Sequence, residues 1–290
     1  MDFNVGCRSA EVNDAAQGAR IPVRFLYPTR VPERMERFGP YELSVALNAP
    51  VEGGRNSLVV ISHGGSGSSL TYRDLAACLV RAGFVVALPE HPGNCRHDNS
   101  LEGTAENLEN RPRHLRLVID AAFADDAIGA RLLRDRVALI GHSMGGYTSL
   151  ALAGGRPTTG PYEKEGPGRP VSVLPDRRVR ALVLLAPACG WFWPHGALAG
   201  VEAPILLFTA ERDELGPHLH TGFIGLGVRD PAQVDHRVIP GAGHFAFQSP
   251  FPPTMTRPDF PPSQDPEGFD RAAFQPVLHA GILSFLRSVL

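Results

Sequence analysis

Residues 134–147 read R-D-R-V-A-L-I-G-H-S-M-G-G-Y. The run R-V-A-L-I-G is short, apolar and partly β-branched, as a strand buried on both faces would be. The continuation, S-M-G-G-Y-T-S-L-A-L-A-G-G at 143–155, reads as a helix ending at paired glycines. A serine therefore stands where a strand turns sharply into a helix. Glycines at 141, 145 and 146 let the chain turn there without a β-carbon clash and leave the serine oxygen exposed. The helix that follows points its N-terminal amides at the same place, where they favour negative charge.

Outward from this stretch the same rhythm repeats. S-L-V-V-I-S-H at 57–63, F-V-V-A-L-P-E-H at 84–91, R-V-R-A-L-V-L-L-A-P at 178–187, P-I-L-L-F-T-A at 204–210 and Q-V-D-H-R-V-I-P at 233–240 read as strands. Helical patterns lie between or after them, at 70–82, within 104–127, and at 271–290. Such alternation implies a mostly parallel central sheet with helices on both faces. Two weaker strands, at 21–28 and 41–49, precede it and extend one edge in antiparallel fashion, with a loop at 29–40 between them. We expect one domain over 1–290: N-terminal antiparallel strands and loop over 1–56, and a core over 57–290, with no large lid domain. Residues 154–178 and the Pro- and Phe-rich 245–268 break the rhythm and read as surface loops or pocket rims.

Composition narrows the function. With 28 basic and 30 acidic side chains and a net charge of −2, the chain lacks the basic excess of a nucleic-acid binder. No window resembles a membrane span, and the first residues lack a signal-peptide pattern, so a cytoplasmic location is expected. The four cysteines are scattered, with no disulfide or metal-finger spacing. His91, Cys95 and His97, and likewise His218 with His220, lack a tetrahedral ligand set, so no metal is expected.

Reactive groups in an open parallel sheet collect at the C-terminal ends of strands. Ser143 follows the 136–141 strand in G-x-S-x-G. Asp213 follows the 204–210 strand in E-R-D-E-L, where its position favours it over Glu211 and Glu214. His244 follows the 233–240 strand in G-A-G-H. An alcohol is a weak nucleophile until an imidazole takes its proton, and the imidazole needs a carboxylate to fix its tautomer and stabilise its cation. A fourth element, S-H-G-G-S-G-S-S at 62–69, follows the 57–61 run, and its exposed amides suit an oxyanion. The donors assigned are the amides of Gly65 and Met144, with Ser66 the neighbouring candidate. His63 and His142 flank these glycines and are read as orienting the loops. Trp191 and Trp193, in W-F-W, are either a wall of the substrate pocket or packing beneath that loop, since three adjacent aromatics cannot all point inward.

The motifs S-H-G-G-S-G, G-F-V-V-A-L-P-E-H-P-G-N, G-H-S-M-G-G, A-P-A, F-T-A-E-R-D and G-A-G-H-F, spread over 57–245, resemble the α/β-hydrolase superfamily. Within it they are most similar to the dienelactone-hydrolase and platelet-activating factor acetylhydrolase-like branch. The resemblance implies an α/β-hydrolase fold and hydrolysis of a small-molecule ester, or of a thioester or amide, through an acyl-enzyme. It also implies Ser143 as nucleophile, His244 as base and Asp213 as acid, with no cofactor. Bacterial dienelactone hydrolases proper carry cysteine at the position of Ser143, so their lactone chemistry does not transfer. Some relatives place the acid one strand earlier, but the loop there, A-P-A-C-G-W-F-W-P-H, has no carboxylate.

Overall fold

A computed structural model describes residues 3–216 and 218–290, the side chains of 218–221 excepted. The strands are β1 (Asn4–Asp14), β2 (Ala19–Thr29), β3 (Arg34–Phe38), β4 (Tyr41–Leu47), β5 (Asn56–Ser62), β6 (Val85–Pro89), β7 (Leu132–His142), β8 (Val179–Leu185), β9 (Ile205–Ala210) and β10 (Val234–Ile239). The helices are α1 (Arg73–Arg81), α2 (Ala105–Ala124), α3 (Met144–Leu152), α4 (His218–Gly227) and α5 (Arg271–Val289). The strands form one sheet in the order β10-β9-β8-β7-β5-β6-β2-β1-β4-β3. From β10 to β6 every neighbouring pair is parallel; β2 then runs antiparallel to both β6 and β1. This is the mostly parallel sheet that the alternating pattern implies.

The period of two along each central strand divides the core. Leu58 and Val60 of β5, Val137 and Leu139 of β7, and Leu182 and Leu184 of β8 face α2 and α3. Val59 and Ile61, Ala138 and Ile140, and Val183 and Leu185 face the other way, onto α1 and α5. Both faces are buried, which is why these strands are continuous apolar runs. Helix α3 is buried along its whole length, so it shows no polar stripe.

Two strands escape the sequence reading. β1 carries no strand signal in that reading, and β3 lies inside the segment read as the 29–40 loop. β3 is an edge strand paired only with β4, and its residues are exposed or half-buried. Charged edge positions hide the apolar period by which a strand is recognised. β1 alternates half-buried and exposed residues over its second half and acquires its place by pairing with β2 over its full length. Helix α4 likewise carries no helical signal in the sequence reading. Among the described residues no helix is long and apolar enough to cross a membrane.

Candidate active site

Four turns at the C-terminal edge of the sheet meet at one cavity of about 580 Å³. The first turn follows β7. Ser143 sits between β7 and α3 with φ 53° and ψ −119°, a conformation that L-residues rarely adopt. Three backbone bonds hold it there: its amide donates to Leu185 (3.0 Å), and its carbonyl accepts from Gly146 (2.8 Å) and Ala188 (2.9 Å).

The neighbouring glycines avoid β-carbon clashes, as expected, and do so without unusual backbone angles of their own. None of Gly141, Gly145 and Gly146 has positive φ; the serine itself takes the strained conformation. The glycines permit close approach. A β-carbon on Gly145 would lie 2.7 Å from the Ser62 carbonyl carbon, and one on Gly141 would lie 2.6 Å from Ser149 Oγ. Gly145→Ala is therefore expected to cost about 1–3 kcal/mol by overpacking α3 against β5. Gly225→Ala, on α4, has nothing within 4 Å of its new β-carbon and should gain up to about 1 kcal/mol from helix propensity. Urea unfolding of both variants measures the contrast; equal stabilities would refute the close-approach account.

The second turn follows β9. Both Asp213 oxygens face His244 Nδ1, at 2.9 and 3.0 Å. Asp213 Oδ1 also accepts from the amides of Leu215 (2.9 Å) and Gly216 (2.7 Å). Burial alone would raise its pKa, but the His244 hydrogen bond and charge, with these two amides, bring it below the ordinary value. The carboxylate therefore stays ionised at neutral pH. Glu211 turns instead to the Gly241 amide (2.7 Å) and is exposed.

The third turn follows β10 and carries His244, which is buried against solvent except for its share of the cavity wall. Its backbone is held by His142, whose Nε2 donates to the His244 carbonyl (2.9 Å) while the two rings pack at 4.8 Å between centroids. Burial, followed by the charge of His244, lowers the His142 pKa to about 3, so His142 is neutral and its Nε2–H is the donor. His142 thus orients the loop that carries His244.

The fourth turn, 63–67, follows β5. Gly64, Gly65, Ser66 and Gly67 all line the cavity, and Ser66 has φ 51°. His63 Nδ1 donates to the Gly64 carbonyl (2.7 Å), and its Nε2 accepts from the His91 amide (3.1 Å). Among the described residues, the amides of Gly65 and Met144 donate to no backbone carbonyl. Both are thus available at the cavity wall.

Ser143, Met144, His244, Gly65, Ser66 and Trp191 all line this cavity. Trp191 is fixed by its Nε1–H donating to Glu163 Oε1 (2.8 Å) and by an edge contact with Tyr147. Trp193 is placed elsewhere: it is 52 % exposed and does not line the cavity. Between them Phe192 is buried on Tyr147. The W-F-W triplet thus divides into one wall, one core residue and one surface residue.

Sequence reasoning missed Tyr41, Asn94, Arg96 and Glu163 in the cavity lining. No local pattern assigns them to a site: Tyr41 comes from the N-terminal strands, Asn94 and Arg96 from the loop after β6, and Glu163 from the 154–178 segment. Phe245, Phe251 and Phe260, from the segment read as a possible rim, also line it. Among the described residues no three of His, Cys, Asp and Glu are grouped as metal ligands; the side chains of His218 and His220 lie outside the described residues.

Residues 57–204 match the model of a family described as having the alpha/beta hydrolase fold. Among solved structures, the chain is similar to a ferulic acid esterase from Streptomyces cinnamoneus, with TM-score 0.72 and 19 % identity, over 100 % of this chain and 91 % of that one. It is also similar to a dienelactone hydrolase-like promiscuous phosphotriesterase from metagenomic libraries, with TM-score 0.62 and 14 % identity, over 99 % of each chain. Comparison with curated proteins finds no match.

Proposed function

The chain belongs to the α/β-hydrolase fold family, and we propose that within it this protein is a serine hydrolase that cleaves a small-molecule carboxylic ester through an acyl-enzyme. The observation that carries the reading is His244 on the wall of the cavity that also exposes Ser143, with Asp213 2.9 Å behind its Nδ1. Asp213 holds His244 with Nδ1–H toward the carboxylate, which leaves Nε2 to accept the serine proton. Ser143 Oγ attacks the ester carbonyl as His244 takes that proton. The carbonyl oxygen becomes an oxyanion, which the Gly65 and Met144 amides stabilise by hydrogen bonding. His244 then returns the proton to the leaving alcohol. Water, deprotonated by His244, attacks the acyl-enzyme; the acid leaves and Ser143 recovers its proton. No cofactor or metal enters this sequence.

The aromatic rings of Tyr41, Trp191, Phe251 and Phe260 on the cavity wall favour a substrate with a bulky apolar or aromatic group. The ferulic acid esterase likeness points the same way. A fluorophosphonate probe tests the chemistry directly: mass spectrometry of the folded protein should find the label on Ser143. Unlabelled Ser143 would sink the reading. A panel of p-nitrophenyl esters, thioesters and anilides then tests the bond. Faster turnover of a thioester or an amide, or transfer to an amine in preference to water, would replace the esterase assignment with one of those activities.

A further inference from the structure

Helix α2 carries Arg111, whose side chain is fully buried behind the cavity wall. Its hydrogen bonds all go to neutral oxygens. Nε donates to Thr148 Oγ1 (3.0 Å), and Nη1 to Asn94 Oδ1 (2.7 Å) and, more weakly, to the Asn94 carbonyl (3.4 Å). Nη2 donates to the His63 carbonyl and more weakly to Ser62 Oγ (3.4 Å). No carboxylate is among these acceptors. Burial pulls the guanidinium pKa down to about 9, which still leaves it charged at neutral pH. Glu90 offsets this charge only without direct contact; a buried cation with no hydrogen-bonded carboxylate is costly, and an apolar residue of similar volume would be equal or better for stability alone. The cost points to a role other than packing.

The acceptors identify that role. His63 begins the turn that carries Gly65. Thr148 Oγ1 in turn donates to the Met144 carbonyl (2.9 Å), in the first turn of α3. Asn94 lines the cavity between them and donates from Nδ2 to Asn99 Oδ1 (2.7 Å). One planar, five-donor group therefore ties the 63–67 turn, the start of α3 and the 94–99 loop together. Two amides on separate elements stabilise an oxyanion only when both lie about 2.7–3.1 Å from it.

We propose that Arg111 is a positioning residue for ester hydrolysis: it sets the spacing of the Gly65 and Met144 amides and places a positive charge, with no directly bonded carboxylate, behind the oxyanion they bind. The inference rests on the serine-esterase reading above. It concerns the transition state and not substrate affinity, because Arg111 faces the backs of the two elements.

The test uses Arg111→Lys, which keeps a charge but loses the fork, and Thr148→Val, which severs only the α3 arm. Both are assayed in the full chain on a p-nitrophenyl ester, at a temperature where circular dichroism shows native structure. A trifluoromethyl ketone, whose serine adduct carries an oxyanion, is the second probe. Removing one oxyanion donor elsewhere costs about 10²–10³ in kcat, so loosening both donors in Arg111→Lys is expected to cost about 10²-fold, and Thr148→Val about tenfold. KM should stay within about twofold, and the ketone should bind more weakly by the same factor as kcat/KM falls. A purely structural role would lower the melting temperature and leave kcat of the folded enzyme and ketone affinity unchanged. That result in both variants would overturn the inference while leaving the esterase reading intact. Turnover that survives Ser143→Ala would overturn both.

Discussion

Ser143→Ala is expected to lower kcat on an activated ester by about 10⁴- to 10⁶-fold, because nucleophile and base act as one unit and little remains when either is lost. The fold should be unaffected, since alanine keeps the β-carbon and tolerates the site no worse than serine. Ser143→Gly separates activity from strain. Residues held at unusual backbone angles cost about 1–3 kcal/mol, and Ser143 sits at φ 53° and ψ −119°. Glycine relieves that cost but loses about 0.5–1 kcal/mol of backbone entropy on folding. A net gain of about 1 kcal/mol follows. Kinetics on p-nitrophenyl butyrate and urea titration of the three proteins check both halves. Activity within tenfold of the parent in Ser143→Ala would place the nucleophile elsewhere. A less stable Ser143→Gly would show that the conformation is not strained.

Acidification to pH 5.5 is expected to remove much of the protein's stability well before its carboxylates titrate. Four histidines are buried: His63, His91 and His114 in the interior, and His142 at the cavity wall. Burial pushes His63 down to about 4, although Glu90 opposes it, and His114 down to about 3 against the opposing charge of Asp14. Burial and then the positive charge of Arg111 hold His91 well below the usual imidazole range, and His142 is at about 3. In the unfolded chain all four titrate near 6.5. Below that pH the unfolded chain therefore binds protons that the native state refuses, so stability is full above about pH 6.5 and falls as the pH drops toward 4. Between pH 7 and 5.5 each histidine contributes about 1 kcal/mol, and the four together about 4–5 kcal/mol, a large fraction of a typical stability. Asp213, whose pKa is depressed, acts in the same direction only at lower pH, because its stabilisation begins to fall near the unfolded aspartate value of about 3.9. Urea midpoints measured at pH 7.5, 6.5 and 5.5 test this; midpoints that do not move over that range would refute it.

The same buried cluster shows where sequence reading stops. His63 and His142 stand out in the sequence beside functional glycines, and reading them as loop-orienting residues agrees with their contacts to the Gly64 and His244 carbonyls. His91 and His114 have no such flag. They meet through a 3.1 Å contact between nitrogens from the end of β6 and the middle of α2, 23 residues apart in the chain. Arg111 is equally silent: within α2 it is one arginine among several. Trp191 and Trp193 are two residues apart and chemically identical, yet one lines the cavity and the other faces solvent.

The sequence by itself determined the central strands, their parallel arrangement with covering helices, and the placing of Ser143, Asp213 and His244 each just after a strand end. Those features are local: an apolar run buried on both faces needs no partner to be recognised, and its end marks where a parallel sheet presents side chains. Only the tertiary structure decided that β1 and β3 are strands, that Tyr41 reaches the cavity from the N-terminal half, and that Arg111 bonds both the His63 carbonyl and Thr148 of α3. It also decided that the strained backbone belongs to Ser143 and not to its glycines. Each of these depends on contacts between segments far apart in the chain. Edge strands take their identity from pairing, and a buried polar side chain takes its role from the acceptors that surround it.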